Sequence, residues 1–292
     1  MTKPDETKPK SPRQGCQVVR TRGGAMAVRD VLSGEVMHPM GPAQEAQDVY
    51  IGPCRLEARL REGGAPLVLL DVGLGAGTNA LAAFAVSASL PVQARRLEIV
   101  SFEHDLAALE LALEPENAEG FGLAHAALRE AATALLRHGR FETSRTLWRL
   151  RLGDVMQELA LEPEASADVA FWDMFSSKAD PMLWSATAFR ALYRVCRQGA
   201  TVHTYSAATP TRSALLLAGF AVGMGNSTGH RAQTTVAALH PSDLREPLGA
   251  RWLARLSRST APFPADVPQE AAARAEALRQ IAQCPQFAPL AP

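Results

Sequence analysis

Apolar residues fall along the chain in two alternating patterns. PLVLL (66–70), LEIVSF (97–102), ADVAFW (167–172) and ATVHTY (200–205) are short runs that stay apolar almost throughout. Such runs suit strands buried on both faces. Between them lie longer stretches of helical composition, over 78–89, 105–113, 121–138, 181–196 and 211–218. TLWRLRLGD (146–154) adds a strand, and FAVGMG (220–225) and TTVAALH (234–240) close the series as two β segments. Strands alternating with helices predict an α/β fold: a Rossmann-like, mostly parallel sheet of seven strands with helices on both faces. Ahead of it, CQVVRTRGGAMAVRD (16–30) predicts a β-hairpin around Gly23–Gly24. A loop follows, then a helix starting near Pro42 and a second over 53–62, closed by Gly63–Gly64.

These patterns divide the chain into four parts. Residues 1–15 are polar and Lys/Pro-rich, lack the apolar core of a signal peptide and are expected to form a disordered tail. Residues 16–64 form the hairpin and helical lead-in, and 65–240 the α/β domain. Residues 241–292 are a Pro- and Ala-rich appendage, expected to hold one helix near 268–282 and no core of its own.

A hydrophobic fraction of 47% excludes wholesale disorder. Thirty Lys+Arg balance thirty Asp+Glu, which argues against a strongly electrostatic nucleic-acid binder. The four cysteines (Cys16, Cys54, Cys196, Cys284) form no CxxC or Cys/His pair at zinc spacing, so no metal is expected and reduced, cytoplasmic thiols are the simplest reading. No apolar run is long enough to span a bilayer, so no membrane partner is expected.

The chemistry starts at LLDVGLGAGTNAL (69–81). Gly73, Gly75 and Gly77 follow a buried strand and open a helix, the place where open α/β sheets bind ligands. A tight strand–helix turn uses glycine for its own reasons, so the motif alone is weak. The third glycine comes earlier than in the pyrophosphate-binding GxGxxG, which favours S-adenosylmethionine, a cofactor with no phosphates to cradle. Three further acids recur at strand ends. Glu103 is placed to accept both ribose hydroxyls of an adenosine. Asp154, after Gly153, is placed for the adenine amino group, or else is only a helix N-cap. Asp173 ends the fourth strand, beside the expected sulfonium and methyl. Asp71 and Asn79, flanking the glycines, complete the candidate cofactor set.

In that order the residues resemble the methyltransferase domain of the MnmC-type tRNA wobble-uridine modification enzymes and their stand-alone relatives of the DUF752 type. The family's segment DxWFLDGFAPxKNPxMW corresponds here to DVAFWDMFSSKADPMLW (168–184), with Asp173, Phe175, Lys178, Pro181 and Trp184 matching. GEVMHPMGPAQEAQDVYI (34–51) is similar to the family's lead-in, with Glu35, His38, Gly41 and Glu45 in place, and GHRAQTTVAA (229–238) resembles its final hairpin. The family's GFAP becomes Met174-Phe175-Ser176-Ser177 here, and the FAD-dependent oxidase domain of the two-domain members is not expected within these residues.

The resemblance implies a class I fold and methyl transfer from S-adenosylmethionine to a primary amine on a modified uridine of tRNA. Asp173 is then the candidate to orient the amine and accept its proton. Phe175 and Trp184 are candidates for an apolar wall against a base, or for helix–sheet packing. Lys178 is a candidate phosphate contact or a solvated loop lysine, His38 a candidate at the cavity mouth or a structural histidine, and Arg231, beside His230, a candidate substrate contact. Two other readings remain: a methyltransferase for a small acceptor, favoured by the zero net charge and the altered 174–177 loop, and a non-catalytic binding module that keeps the fold. Polyamine synthases share the general fold, but need acids around the acceptor that Met174–Ser177 does not supply.

Overall fold

The computed structural model describes residues 15–227, 233–261 and 263–288. Nearly all of the expected N-terminal tail, and the candidate Arg231 with His230, lie outside the described residues. The chain opens with the hairpin β1 (Cys16–Arg20) and β2 (Met26–Asp30), paired with Val18 opposite Val28. Helix α1 (Pro42–Glu45) begins on the proline, whose missing N–H is no loss in a first turn. It runs on as a π-turn over Ala46–Ile51, a rare geometry that adds one residue to the turn. Gly52 ends that turn, and a Cβ there would lie 2.9 Å from the Gln47 carbonyl oxygen. Helix α2 (Leu56–Arg61) completes the lead-in.

The central sheet is built from β3 (Leu67–Val72), β4 (Leu97–Glu103), β5 (Arg140–Glu142), β6 (Thr146–Leu152), β7 (Ala167–Trp172), β8 (Cys196–Thr204), β9 (Ala221–Met224) and β10 (Thr235–Ala238). Its order is β5-β6-β4-β3-β7-β8-β10-β9; β6, β4, β3, β7 and β8 run parallel, while β5 and β10 are antiparallel to their neighbours. There are eight strands rather than the expected seven. The addition is β5, Arg-Phe-Glu, whose three residues are too few to carry a period-2 signal.

Helices α3 (Thr78–Ser89), α4 (Ala107–Leu113) and α5 (Ala126–His138) cover one face together with the lead-in. Helices α6 (Val155–Ala160), α7 (Ala186–Val195) and α8 (Thr209–Leu217) cover the other. Neighbouring β3 residues divide between them: Leu69 packs in the first core and Leu70 in the second. This two-sided burial is what the unbroken apolar runs encode.

The C-terminal appendage holds two α-helices where one was expected, α9 (Ala250–Leu256) and α10 (Ala271–Ala282). Trp252, Leu256, Phe263 and Ile281 are buried in the same core as α7 and α8. Residues 246–248 run along β9: Met224 N–H donates to Glu246 O and Leu248 N–H to Val222 O, both at 2.9 Å. Gln286 joins them, accepting from Val222 N–H at 2.7 Å and donating to the Leu248 carbonyl at 2.9 Å. Among the described residues no helix is long and apolar enough to cross a membrane, and no cluster of three His, Cys, Asp or Glu is arranged to hold a metal.

Candidate active site

The parallel strands β3, β4, β6 and β7 all end on the same side of the sheet, and their ends shape a cavity of about 530 Å³. Gly73, Gly75, Glu103, Gly153, Asp154 and Asp173 line it, as the strand-end pattern predicts. At the bottom, Gly73 and Leu74 N–H both donate to the Phe102 carbonyl, at 3.1 and 3.2 Å. Gly73 has φ +94°, and a Cβ there would sit 2.7 Å from the Asp173 carbonyl oxygen. The glycine is therefore required by the close approach of the β7 end to the β3 turn. Gly75 N–H donates to Glu103 Oε2 at 2.9 Å, which ties the turn to the end of β4. Gly77, with φ +80°, caps α3.

Asp173 sits at the centre. Its N–H donates to Val72 O at 2.9 Å, which fixes the β7 end against β3. Its Oδ1 accepts from the Tyr50 hydroxyl at 2.6 Å and its Oδ2 from Asn79 Nδ2 at 2.7 Å. His38 Nε2 lies 3.7 Å from Oδ2. Burial and the adjacent Asp173 carboxylate hold the Tyr50 phenol well above its ordinary value, so it stays a donor. Sequence reasoning missed Tyr50. Its reach depends on the π-turn, which leaves no periodic mark in AQDVYI.

The other acids differ in role. Glu103 Oε1 accepts the His104 N–H at 2.8 Å and lies 2.9 Å from His104 Nδ1; that contact raises the imidazole above its ordinary value. Asp154 is the N-cap of α6, its Oδ1 accepting from Met156 and Gln157 N–H at 3.0 Å, yet the residue also lines the cavity. Asp71 is not in the cavity. It is buried in β3, where Ser101 Oγ donates to its Oδ2 at 2.7 Å and Trp148 Nε1 donates to Ser101 at 2.9 Å.

Burial pushes the Asp71 carboxyl from 3.8 up to about 7, against the opposing Ser101 bond and helped by Asp173 and Glu103. The native state thus holds a proton that the unfolded chain releases above pH 3.8. This group costs stability as pH rises from 3.8 to about 7, and the cost is constant beyond that. Asp71→Asn replaces the neutral acid by an uncharged amide of equal size. Scanning calorimetry is expected to show its Tm a few degrees above wild type at about pH 8 and nearly equal at about pH 4.

Another side of the cavity is built by the lead-in and the loop after β7. Glu35 accepts the Ser176 N–H at 2.8 Å and its hydroxyl as well, Tyr205 O–H donates to Met174 O at 3.0 Å, and Trp184 Nε1 donates to Phe175 O at 2.6 Å. Ser176, where the family pattern has Ala, is thus a strut between the two segments. Phe175 lines the cavity as expected, and so does His38. Trp184 does not: it is buried, edge-on to Phe189 and Tyr205. The helix expected from Pro181 begins only at Ala186, after a 3₁₀ turn over Met182–Trp184, with the Ser185 hydroxyl as its cap. Lys178 is exposed and lies outside the cavity lining.

The cavity's charge pattern is one-sided. Glu35, Glu45, Glu103, Asp154, Asp173 and Asp180 contribute six carboxylates, and no Lys or Arg is among the described residues that line it. Such a site suits cations and repels phosphates. S-adenosylmethionine, a sulfonium with an amino group and two ribose hydroxyls, fits that donor set; a pyrophosphate cofactor does not.

Residues 118–240 match a family described as S-adenosyl-L-methionine-dependent methyltransferase. The chain is 34% identical over 232 residues to the tRNA 5-methylaminomethyl-2-thiouridine biosynthesis bifunctional protein MnmC of Methylibium petroleiphilum, covering 75% of this chain and 34% of that protein. It is 36% identical over 192 residues to the MnmC of Burkholderia vietnamiensis, covering 62% and 28%. It spans about a third of the length of these curated relatives. Among solved structures, MnmC2 of Aquifex aeolicus shares the fold with a TM-score of 0.72 at 23% identity, covering 92% of this chain and 85% of that one. Fold and relatives agree: the chain belongs to the MnmC-like S-adenosyl-L-methionine-dependent methyltransferases.

Proposed function

We propose that this domain methylates the primary amine of an aminomethyl group on a wobble uridine of tRNA. The observation that carries this is the acidic cavity itself: six carboxylates and, among the described lining residues, no Lys or Arg, beside the loop with the MnmC-like pattern. An alkylamine arrives largely as an ammonium, and such a cavity attracts it. The names of the curated relatives, which specify biosynthesis of a methylaminomethyl-uridine in tRNA, support the acceptor. The base and its amine enter the cavity while the phosphates of the strand stay outside. A tRNA substrate sets the reaction in the cytoplasm.

S-adenosylmethionine supplies a methyl carbon made electrophilic by its bond to a positive sulfur. Glu103, held by Gly75 and His104, would hold the ribose hydroxyls. The Asp154 oxygen not used by the helix cap would accept from the adenine amino group. Asp173, fixed on both sides by Tyr50 and Asn79, accepts an N–H of the acceptor amine and so aims its lone pair. Phe175 gives the base an apolar wall. Alignment of the reacting atoms, rather than covalent catalysis, supplies most of the acceleration.

Calorimetric titration with S-adenosylmethionine tests the cofactor site. Wild type is expected to bind at micromolar levels and Glu103→Ala about 10–100-fold more weakly, since two charge-assisted hydrogen bonds are lost. The same preparation, assayed on tRNA carrying unmethylated aminomethyluridine, should incorporate one methyl per tRNA. Turnover of small primary amines with none on tRNA would move the acceptor to the small-molecule class. Absence of cofactor binding by folded wild type would leave only a binding module.

A further inference from the structure

Resting on the amine-methylation reading, we infer that the imidazole of His38, and not the carboxylate of Asp173, takes the proton that the acceptor nitrogen gives up. Both Asp173 oxygens already accept hydrogen bonds, from Tyr50 at 2.6 Å and Asn79 at 2.7 Å. Donated hydrogen bonds satisfy the charged form of a carboxylate, which makes it a good orienting acceptor and a poor proton sink. Four of the other five cavity acids are committed to protein donors: Glu35 to Ser176, Glu103 to Gly75 and His104, Asp154 to the α6 cap and Asp180 to Leu183.

Two imidazoles are among the described residues that line the cavity. His104 is exposed and lies between Glu103 and Asp105, at 2.9 and 3.0 Å. His38 is buried against the cavity wall, with Nε2 3.7 Å from Asp173 Oδ2. An amine hydrogen-bonded to that oxygen is within reach of Nε2. Imidazole is also the side chain whose ordinary titration falls near neutral pH.

The backbone adds an independent argument. His38 has φ +52°, in the left-handed region that glycine enters freely and an L-residue enters with strain. A non-glycine residue held there at a cavity wall points to a role for its side chain.

The proton balance is simple. The acceptor ammonium first gives an N–H proton to Nε2, the pair staying on nitrogen; that pair then forms the N–C bond as the methyl–sulfur bond breaks with its pair going to sulfur, and the product leaves as a secondary ammonium beside a neutral thioether. The resulting imidazolium faces the Asp173 carboxylate, which stabilises it, and later releases the proton to water.

His38→Gly removes the imidazole and suits the backbone, so the variant should melt no lower than wild type. His38→Gln keeps a polar side chain without a base. Both should bind S-adenosylmethionine by calorimetry within about threefold of wild type, while single-turnover methyl transfer at saturating tRNA falls about 100-fold, the usual scale of a lost general base. Imidazole added to the buffer should restore part of the rate to His38→Gly and none to His38→Gln. Variants that keep the wild-type rate, or whose loss is explained by lost cofactor binding, overturn the inference alone. A wild type inactive on both tRNA and alkylamines overturns the amine-methylation reading, and this inference with it.

Discussion

Asparagine in place of Asp173 is expected to lower the rate of methyl transfer by about 10²–10³-fold, the scale seen when a preorganised electrostatic partner is removed. The side chain keeps its size, so the cavity keeps its shape. What changes is charge and hydrogen-bond sense. Tyr50 O–H and Asn79 Nδ2 both donate to the carboxylate. An amide offers one acceptor oxygen and one donor nitrogen, so one of these contacts becomes donor against donor. The positive nitrogen that forms on methylation also loses its facing anion. Single-turnover kinetics with saturating tRNA and cofactor measure the effect. A variant within threefold of wild type would remove Asp173 from the chemistry and leave it a structural strut between β7 and α3.

Gly73→Ala is expected to cost about 2 kcal/mol or more of stability and to abolish measurable S-adenosylmethionine binding. The added methyl would stand 2.7 Å from the Asp173 carbonyl oxygen and 2.9 Å from its carbonyl carbon, both backbone atoms that cannot swing aside. The φ of +94° adds strain for any L-residue. Relief requires the β3 turn to part from the end of β7, and that separates the glycine turn from Asp173. Urea unfolding reads the stability and calorimetric titration the binding. Wild-type affinity in this variant would mean that the turn and the β7 end move independently, and that the cavity does not depend on their contact.

Much of this site was legible in the sequence because its parts sit at ends of strands that are apolar throughout. A doubly buried strand marks its own end, so Gly73, Glu103, Asp154 and Asp173 could be placed on one side of the sheet before any coordinates. What escaped was decided by local geometry without periodicity. Tyr50 reaches Asp173 through a π-turn, and nothing in AQDVYI distinguishes five-residue from four-residue spacing. Trp184 stood open between a wall for a base and helix–sheet packing, because aromatic residues serve binding sites and cores alike. Its indole N–H instead holds the Phe175 carbonyl from inside the core. Asp71 looked like a cofactor contact by its place beside the glycines, yet alternation along β3 turns its side chain toward Ser101 on β4. Helix α9 was hidden by its length: seven residues give too few turns for an apolar stripe to show.

The strip formed by residues 246–248 and Gln286 works like a selvedge on woven cloth. An open sheet ends in unpaired N–H and C=O groups that can template a strand from another molecule. Here Glu246 and Leu248 bond to β9, Gln286 fills in between, and Pro247, bridged to Gly223, offers no N–H of its own to a newcomer. The opposite border is treated differently: β5 is only three residues long, with Arg140 and Glu142 paired to each other. Short, charged or hemmed borders of this kind discourage intermolecular pairing. The C-terminal appendage, none of whose described residues lines the cavity, thereby hems the border at which neighbouring molecules would otherwise be stitched into one continuous sheet.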